Sequence, residues 1–83
     1  MKEVTIDKIV EILNANIENA EITEENLDEN LSELGMDSIT FIKIIVSLEE
    51  EFECEIPDSK LLLREMDTVN KILGILKDLE LTV

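Results

Sequence analysis

The sequence has no histidine, no tryptophan and no tyrosine, and only one cysteine, Cys54. The missing histidine removes the commonest general base and the commonest zinc ligand together. A lone cysteine forms neither an internal disulfide nor a Cys cluster, which is the usage of a reducing compartment. No apolar run approaches the roughly 20 residues of a membrane-spanning helix, and no signal-peptide pattern opens the chain. A cytoplasmic protein without membrane insertion is expected. Basic residues are scarce as well: 7 Lys and Arg stand against 21 Asp and Glu, a formal net charge of −14. Between Lys8 and Lys43 there is no basic side chain, while Glu18, Glu21, Glu24, Glu25, Asp28, Glu29, Glu33 and Asp37 accumulate. Such a surface repels phosphate backbones and anionic lipid, which argues against nucleic acid and membranes as partners. It suits steering toward basic patches on other proteins, although solubility alone would also account for it.

With 83 residues the chain predicts one domain over 1–83, expected to be a monomer. A domain of this size hides only about 60–65% of its unfolded surface, so its core is thin and its buried polar sites few. The Ile and Leu residues recur at helical spacing, and strand patterns are sparse. A first helix is predicted from about Glu3 to Ala15, with Ile6, Ile9, Val10, Leu13 and then Ile17 on its inner side. From Asn14 to Asp37 the chain is rich in Asn and acids, and reads as a long loop pinned by Ile22, Leu27, Leu31 and Leu34. A short helical turn is expected within it, around Asn26–Glu33. Gly35 can supply the positive φ that turns the chain into the next helix.

The second helix is predicted from Ser38 to Phe52 or Glu53, capped by Asp37. Pro57 then interrupts the chain, and a short third helix through Leu61, Leu62 and Leu63 is expected. A last helix follows over about Val69–Leu79, facing inward with Val69, Ile72, Leu73, Leu76 and Leu79. Gly74 weakens it unless close packing requires a missing side chain. The expected fold is all-α: a four-helix bundle with a long loop between helices 1 and 2 and a short helix 3.

At about 100° per residue the second helix has two apolar faces. Phe41, Ile44, Ile45, Leu48 and Phe52 make a sufficient core face. Ile39, Ile42 and Val46, with Lys43 among them, fall on the other side. An apolar stripe ringed by acids suits partner docking, unless helix 3 or the loop covers it.

Ser38 opens this helix, and three roles compete for it: cap, nucleophile or attachment point. As a nucleophile it lacks a base, because there is no histidine and the carboxylate of Asp37 is a weak base for an alcohol. It is a reasonable acceptor for a group that another enzyme delivers, since a helix N-terminus favours an attached phosphate. It could equally share capping duty with Asp37. The acid-rich loop lacks the alternating Asp and Asn ligands around a central Gly of an EF-hand, so no metal site is expected.

Four strings decide in context: "LGMDSI" at Leu34–Ile39, "SLEEEF" beginning nine residues after Ser38, "EIPD" at Glu55–Asp58, and "DTV" opening the last helix. Their order and spacing resembles the acyl and peptidyl carrier proteins across essentially the whole chain. The resemblance implies that a phosphopantetheinyl transferase attaches 4′-phosphopantetheine from coenzyme A to Ser38, with Asp37 as the flanking motif residue. The thiol of that arm would then hold an acyl, aminoacyl or peptidyl group as a thioester. It further implies a non-catalytic carrier served by a loading ligase (an adenylation enzyme) and by downstream condensing, modifying or releasing enzymes. Met36, Ile39, Ile42, Lys43 and Val46 are expected to form the docking face, and Cys54 to be half-buried and incidental.

Two departures bear on the pathway. Thr40 and Lys43 stand where fatty-acid carriers usually place acids, and "DSKLLLREMDTV" is longer than their usual link to the last helix. "REMDTVNKI" looks more like the aminoacyl carriers, including the D-alanyl carrier of teichoic acid modification, and like stand-alone peptidyl carriers. A specialised pathway such as nonribosomal peptide, polyketide or aminoacyl transfer is therefore expected. The alternatives are a housekeeping fatty-acid carrier and, in another class, an acidic helical interaction module without a prosthetic group.

Overall fold

The computed structural model describes residues 2–81. Three α-helices form among them: α1 (Ile6–Asn16), α2 (Ser38–Phe52) and α3 (Val69–Leu81), with no strand. Three short 3₁₀ turns occupy the connections, at Glu24–Asn26, Asp58–Lys60 and Leu63–Glu65.

The first helix starts later than its apolar spacing suggests, because Thr5 is extended and its Oγ1 accepts the N–H of Lys8. Its buried side is Ile9, Ile12 and Leu13, followed by Ile17 just past the end. Ile12 thus joins the inner face, while Ile6 and Val10 lie at its half-buried margins. Both α2 and α3 pack on α1. The long connection is held to α1 by one side chain: Asn14 accepts the N–H of Ile22 at 2.8 Å and donates to its carbonyl at 2.9 Å. A loop residue bonded this way satisfies its backbone groups without a helix or strand.

Among the described residues the expected short third helix is two 3₁₀ turns and not an α-helix. There, Leu61 and Leu63 pack on the core and Leu62, extended at φ −114 and ψ 130, points outward with 43% exposure. Three consecutive leucines sweep about 200° on a helix, too wide for one inner face. An extended residue between two 3₁₀ turns lets alternate leucines face inward instead. Met66 closes this segment, fully buried. The expected turn at Asn26–Glu33 also differs: its helical part is Glu24–Asn26, started by Thr23, whose Oγ1 accepts the N–H of Glu25.

The buried apolar residues form one cluster drawn from every part of the chain, from Val4 to Leu76. Each fully buried Leu or Ile contributes about 1.5–3 kcal/mol relative to exposure. The last helix buries Val69, Ile72 and Leu76, with Leu73 and Leu79 half-buried beside them. Close packing at Gly74 is not found. The residue is exposed, and a Cβ built there meets nothing within 4 Å.

Candidate functional site

The approach to Ser38 begins at a glycine that its position demands. Gly35 has φ +114, and a Cβ there would lie 3.3 Å from Cγ2 of Ile17. Both conditions favour a residue without a side chain. The turn brings the N–H of Met36 to the carbonyl of Leu31 at 3.0 Å. Met36 itself is 3% exposed and belongs to the core. It therefore supports the start of α2 from beneath and does not share the docking face expected of it. Its position two residues before an exposed serine gave no sign of this, since a methionine serves either surface.

Asp37 follows in an extended conformation and caps the helix. Its Oδ1 accepts the N–H of Thr40 at 2.8 Å, and its carbonyl accepts the N–H of Phe41. The hydrogen bond from the Thr40 backbone N–H holds the Asp37 carboxyl below the usual carboxylate range. Because Asp37 takes the cap, Ser38 is released from it. Ser38 is the first residue of α2, is exposed, and its hydroxyl makes no side-chain hydrogen bond among the described residues. Of the three roles open to this serine, helix capping is thus filled by its neighbour.

Ile39, Ile42 and Val46 lie along the same helix at 71%, 58% and 48% exposure, with Lys43 exposed among them. The opposite side buries Phe41, Ile44, Ile45, Leu48 and Phe52. The loop and the 3₁₀ turns leave the outer stripe open. No acid stands in the first turn of α2, and Lys43 is an exposed charged residue within the stripe.

Cys54 lies past the end of this helix and is half-buried. Burial, reinforced by the nearby charge of Glu49, raises its thiol pKa. A thiol held protonated is a poor nucleophile.

Spacing alone did not reveal how the acid-rich loop is fixed. Leu27 and Leu31 accept from and donate to the start of α3, and Asp28 is bonded to Asn70, 42 residues away. The apolar residues of the loop signalled that it would be pinned. Its polar partners carry no such periodic signal.

An exposed, unengaged serine at a helix N-terminus fits a covalently attached phosphodiester, whose charge the first-turn N–H groups and the helix dipole favour. Comparison with known proteins agrees. Residues 6–76 match the family model described as "Phosphopantetheine attachment site". The chain is 37% identical over 57 residues to a D-alanyl carrier protein of Lactobacillus acidophilus, covering 68% of this chain and 72% of that one. It is equally similar, over the same extent, to the D-alanyl carrier protein of Lactobacillus helveticus. No solved structure matches. With an all-helical fold and a family match over most of its length, the chain belongs to the phosphopantetheine-attachment family of carrier proteins, whose covalent cofactor is 4′-phosphopantetheine.

Proposed function

We propose that Ser38 is the attachment point of the arm and that the chain is a free-standing carrier for an aminoacyl or unusual acyl group. The observation that carries this reading is the division of labour at the start of α2. Asp37 caps the helix, and the neighbouring Ser38 hydroxyl is left exposed and unbonded. When bound, the cofactor supplies a flexible arm ending in a thiol that holds cargo as a thioester. In attachment, Ser38 Oγ bonds to the phosphorus bearing the pantetheine as the pyrophosphate bond of coenzyme A breaks. The nucleotide leaves with the bridging oxygen, and the hydroxyl proton passes to a base on the transferase.

The rest of the chain serves presentation. Ile39, Ile42, Lys43 and Val46 form the docking face, a limited exposed apolar stripe suited to weak and reversible contact. A half-buried, protonated Cys54 does not compete with the arm's thiol for cargo. Residues 1–83 act as one carrier domain, monomeric and cytoplasmic, with no catalysis of its own. Its partners are a phosphopantetheinyl transferase, a loading ligase, and the enzymes that condense, modify or release the cargo. An aminoacyl cargo is supported by the relatives named D-alanyl carrier proteins. Lys43 in place of an acid supports a specialised pathway over fatty-acid synthesis.

Intact mass after incubation with coenzyme A and a broad-specificity phosphopantetheinyl transferase tests the attachment. The native chain is expected to gain one phosphopantetheine and Ser38→Ala none. Gain by both variants would move the site elsewhere, and no gain by a folded, previously unmodified native chain would remove the carrier reading with this transferase.

A further inference from the structure

Both α2 and α3 pack on α1, yet the segment that leads into Ser38 is tied by several hydrogen bonds to the residues around the start of α3. The side-chain amide of Asn70 donates to Asp28 Oδ1 at 2.6 Å, and its backbone N–H donates to the carbonyl of Leu27 at 3.1 Å. One turn earlier, the carbonyl of Asp67 accepts the N–H of Leu31 at 2.7 Å. The carbonyl of Leu31 in turn accepts the N–H groups of Leu34 and Met36, both at 3.0 Å. Leu31 and Met36 are buried, so this relay has few alternative arrangements. Asp67 is fixed at the α3 end by Lys71, whose Nζ lies 2.9 Å from its carboxylate and donates to the carbonyl of Arg64 at 3.0 Å. Two residues beyond Met36 is Ser38.

We propose that Asn70, through its bond to Asp28, is a positioning residue for Ser38: it clamps the acid-rich loop to α3, and the loop sets where the serine hydroxyl is presented. The inference rests on Ser38 being the attachment point. The Asn70–Asp28 pair is itself exposed and contributes little to the core. Its effect is directional. Without it, Leu27–Leu31 keeps only its two backbone bonds to Asp67 and Asn70, and the Leu31–Met36 bond carries the loosening into the Gly35–Asp37 turn. Ser38 is then displaced relative to a docked transferase, while the stripe on α2 that the transferase would grip is unchanged. A change in the reacting geometry with docking preserved lowers kcat and spares KM.

The test measures kcat and KM for phosphopantetheine transfer from coenzyme A, with this chain as the varied substrate, alongside melting temperature. Native chain, Asn70→Ala, the reciprocal Asp28→Asn/Asn70→Asp swap, and Glu80→Gln are compared. Glu80 lies near the other end of α3, about 15 Å from Asn70 along the helix. It accepts the N–H of Val4 there, so its substitution loosens the fold away from the loop. Asn70→Ala is expected to lower kcat roughly tenfold while KM stays within about twofold. The swap, which restores one amide donor and one carboxylate acceptor, is expected to return kcat toward native. Glu80→Gln is expected to lower the melting temperature without changing kcat. If Asn70→Ala does not fold, Asp28→Ala removes the same bond from the loop side and carries the same expectation.

A native kcat in the Asn70 and Asp28 variants overturns the proposal. So does a loss of kcat that follows melting temperature alike in Asn70→Ala and Glu80→Gln, or a swap that recovers stability but not kcat. If the native chain accepts no arm at Ser38, the attachment reading is what has failed, and the variants are not needed to see it.

Discussion

The carboxylate of Asp37 accepts the backbone N–H of Thr40 at 2.8 Å, and the hydroxyl of Ser38 beside it is unbonded and exposed. Two residues suited to the same cap therefore do different work. The first prediction follows from that split. Asp37→Ala should lower the melting temperature more than Ser38→Ala, since only Asp37 satisfies a first-turn N–H. Asp37→Asn should fall between them because its amide oxygen can still cap. Thermal melts at neutral pH decide it, and a Ser38→Ala loss equal to that of Asp37→Ala would return the capping role to the serine.

The two faces of α2 were readable from the sequence because 3.6-residue periodicity registers the buried and exposed stripes independently. Asp37 and Gly35 were readable too, as each has a local backbone task that few residue types perform. Between Pro57 and Thr68 the same reasoning gave a helix where there are two 3₁₀ turns. Leu61, Leu62 and Leu63 are equally apolar, and only the outward Leu62 distinguishes an extended segment from a helical one. The Asn14–Ile22 and Asp28–Asn70 bonds were invisible for a different reason. Tertiary hydrogen bonds from exposed asparagines leave no periodic trace, and the loop they organise is what carries the chain to Ser38.

Gly74 offers a second prediction. It sits inside α3, exposed, with open space where a Cβ would be. Gly74→Ala should therefore stabilise the chain by about 0.5–1 kcal/mol, through helix propensity alone. For a domain of this size that raises the melting temperature by roughly 2–8 °C. A neutral or lower melting temperature would show that the position is not the open helical site that its geometry describes.

The outer stripe of α2 predicts a separation of function from stability. Val46 is 48% exposed, so Val46→Glu should change stability by no more than about 0.5 kcal/mol. The same substitution places a carboxylate in the middle of an apolar contact and should weaken productive encounter with a transferase or loading ligase roughly tenfold or more, seen as a raised KM. Lys43→Glu should reduce the on-rate for partners that offer an acid there, most visibly at low salt. Unfolding of Val46→Glu would assign the residue to the core.

The charge of −14 predicts a salt response. Only four ion pairs form among the described residues, all partly exposed, and they involve just Lys8, Lys71 and Lys77 as cations. Most acids therefore have no cationic partner among the described residues. Raising ionic strength from about 0.01 M to 0.15 M shortens the screening length from about 30 Å to 8 Å and should raise the melting temperature, as should divalent cations. A melting temperature flat in salt would show that the carboxylates are spaced widely enough not to repel.

Acid should act in the opposite direction at one identifiable bond. The carboxylate of Glu80, near the end of α3, accepts the N–H of Val4 at 2.9 Å and lies 3.5 Å from the Lys77 ammonium. The hydrogen bond from Val4 holds its pKa below the ordinary glutamate value, with Lys77 adding to the effect. A group whose folded pKa is depressed contributes stability above its unfolded pKa and loses it as pH falls through the folded one. Native chain should thus melt above Glu80→Gln at neutral pH, and the gap should shrink as the pH falls from about 5 toward 3. Relief of the general repulsion between acids shifts both variants together, so the gap isolates the single bond. A gap that persists unchanged at low pH would mean that Glu80 holds the N-terminal segment by packing and not by its charge.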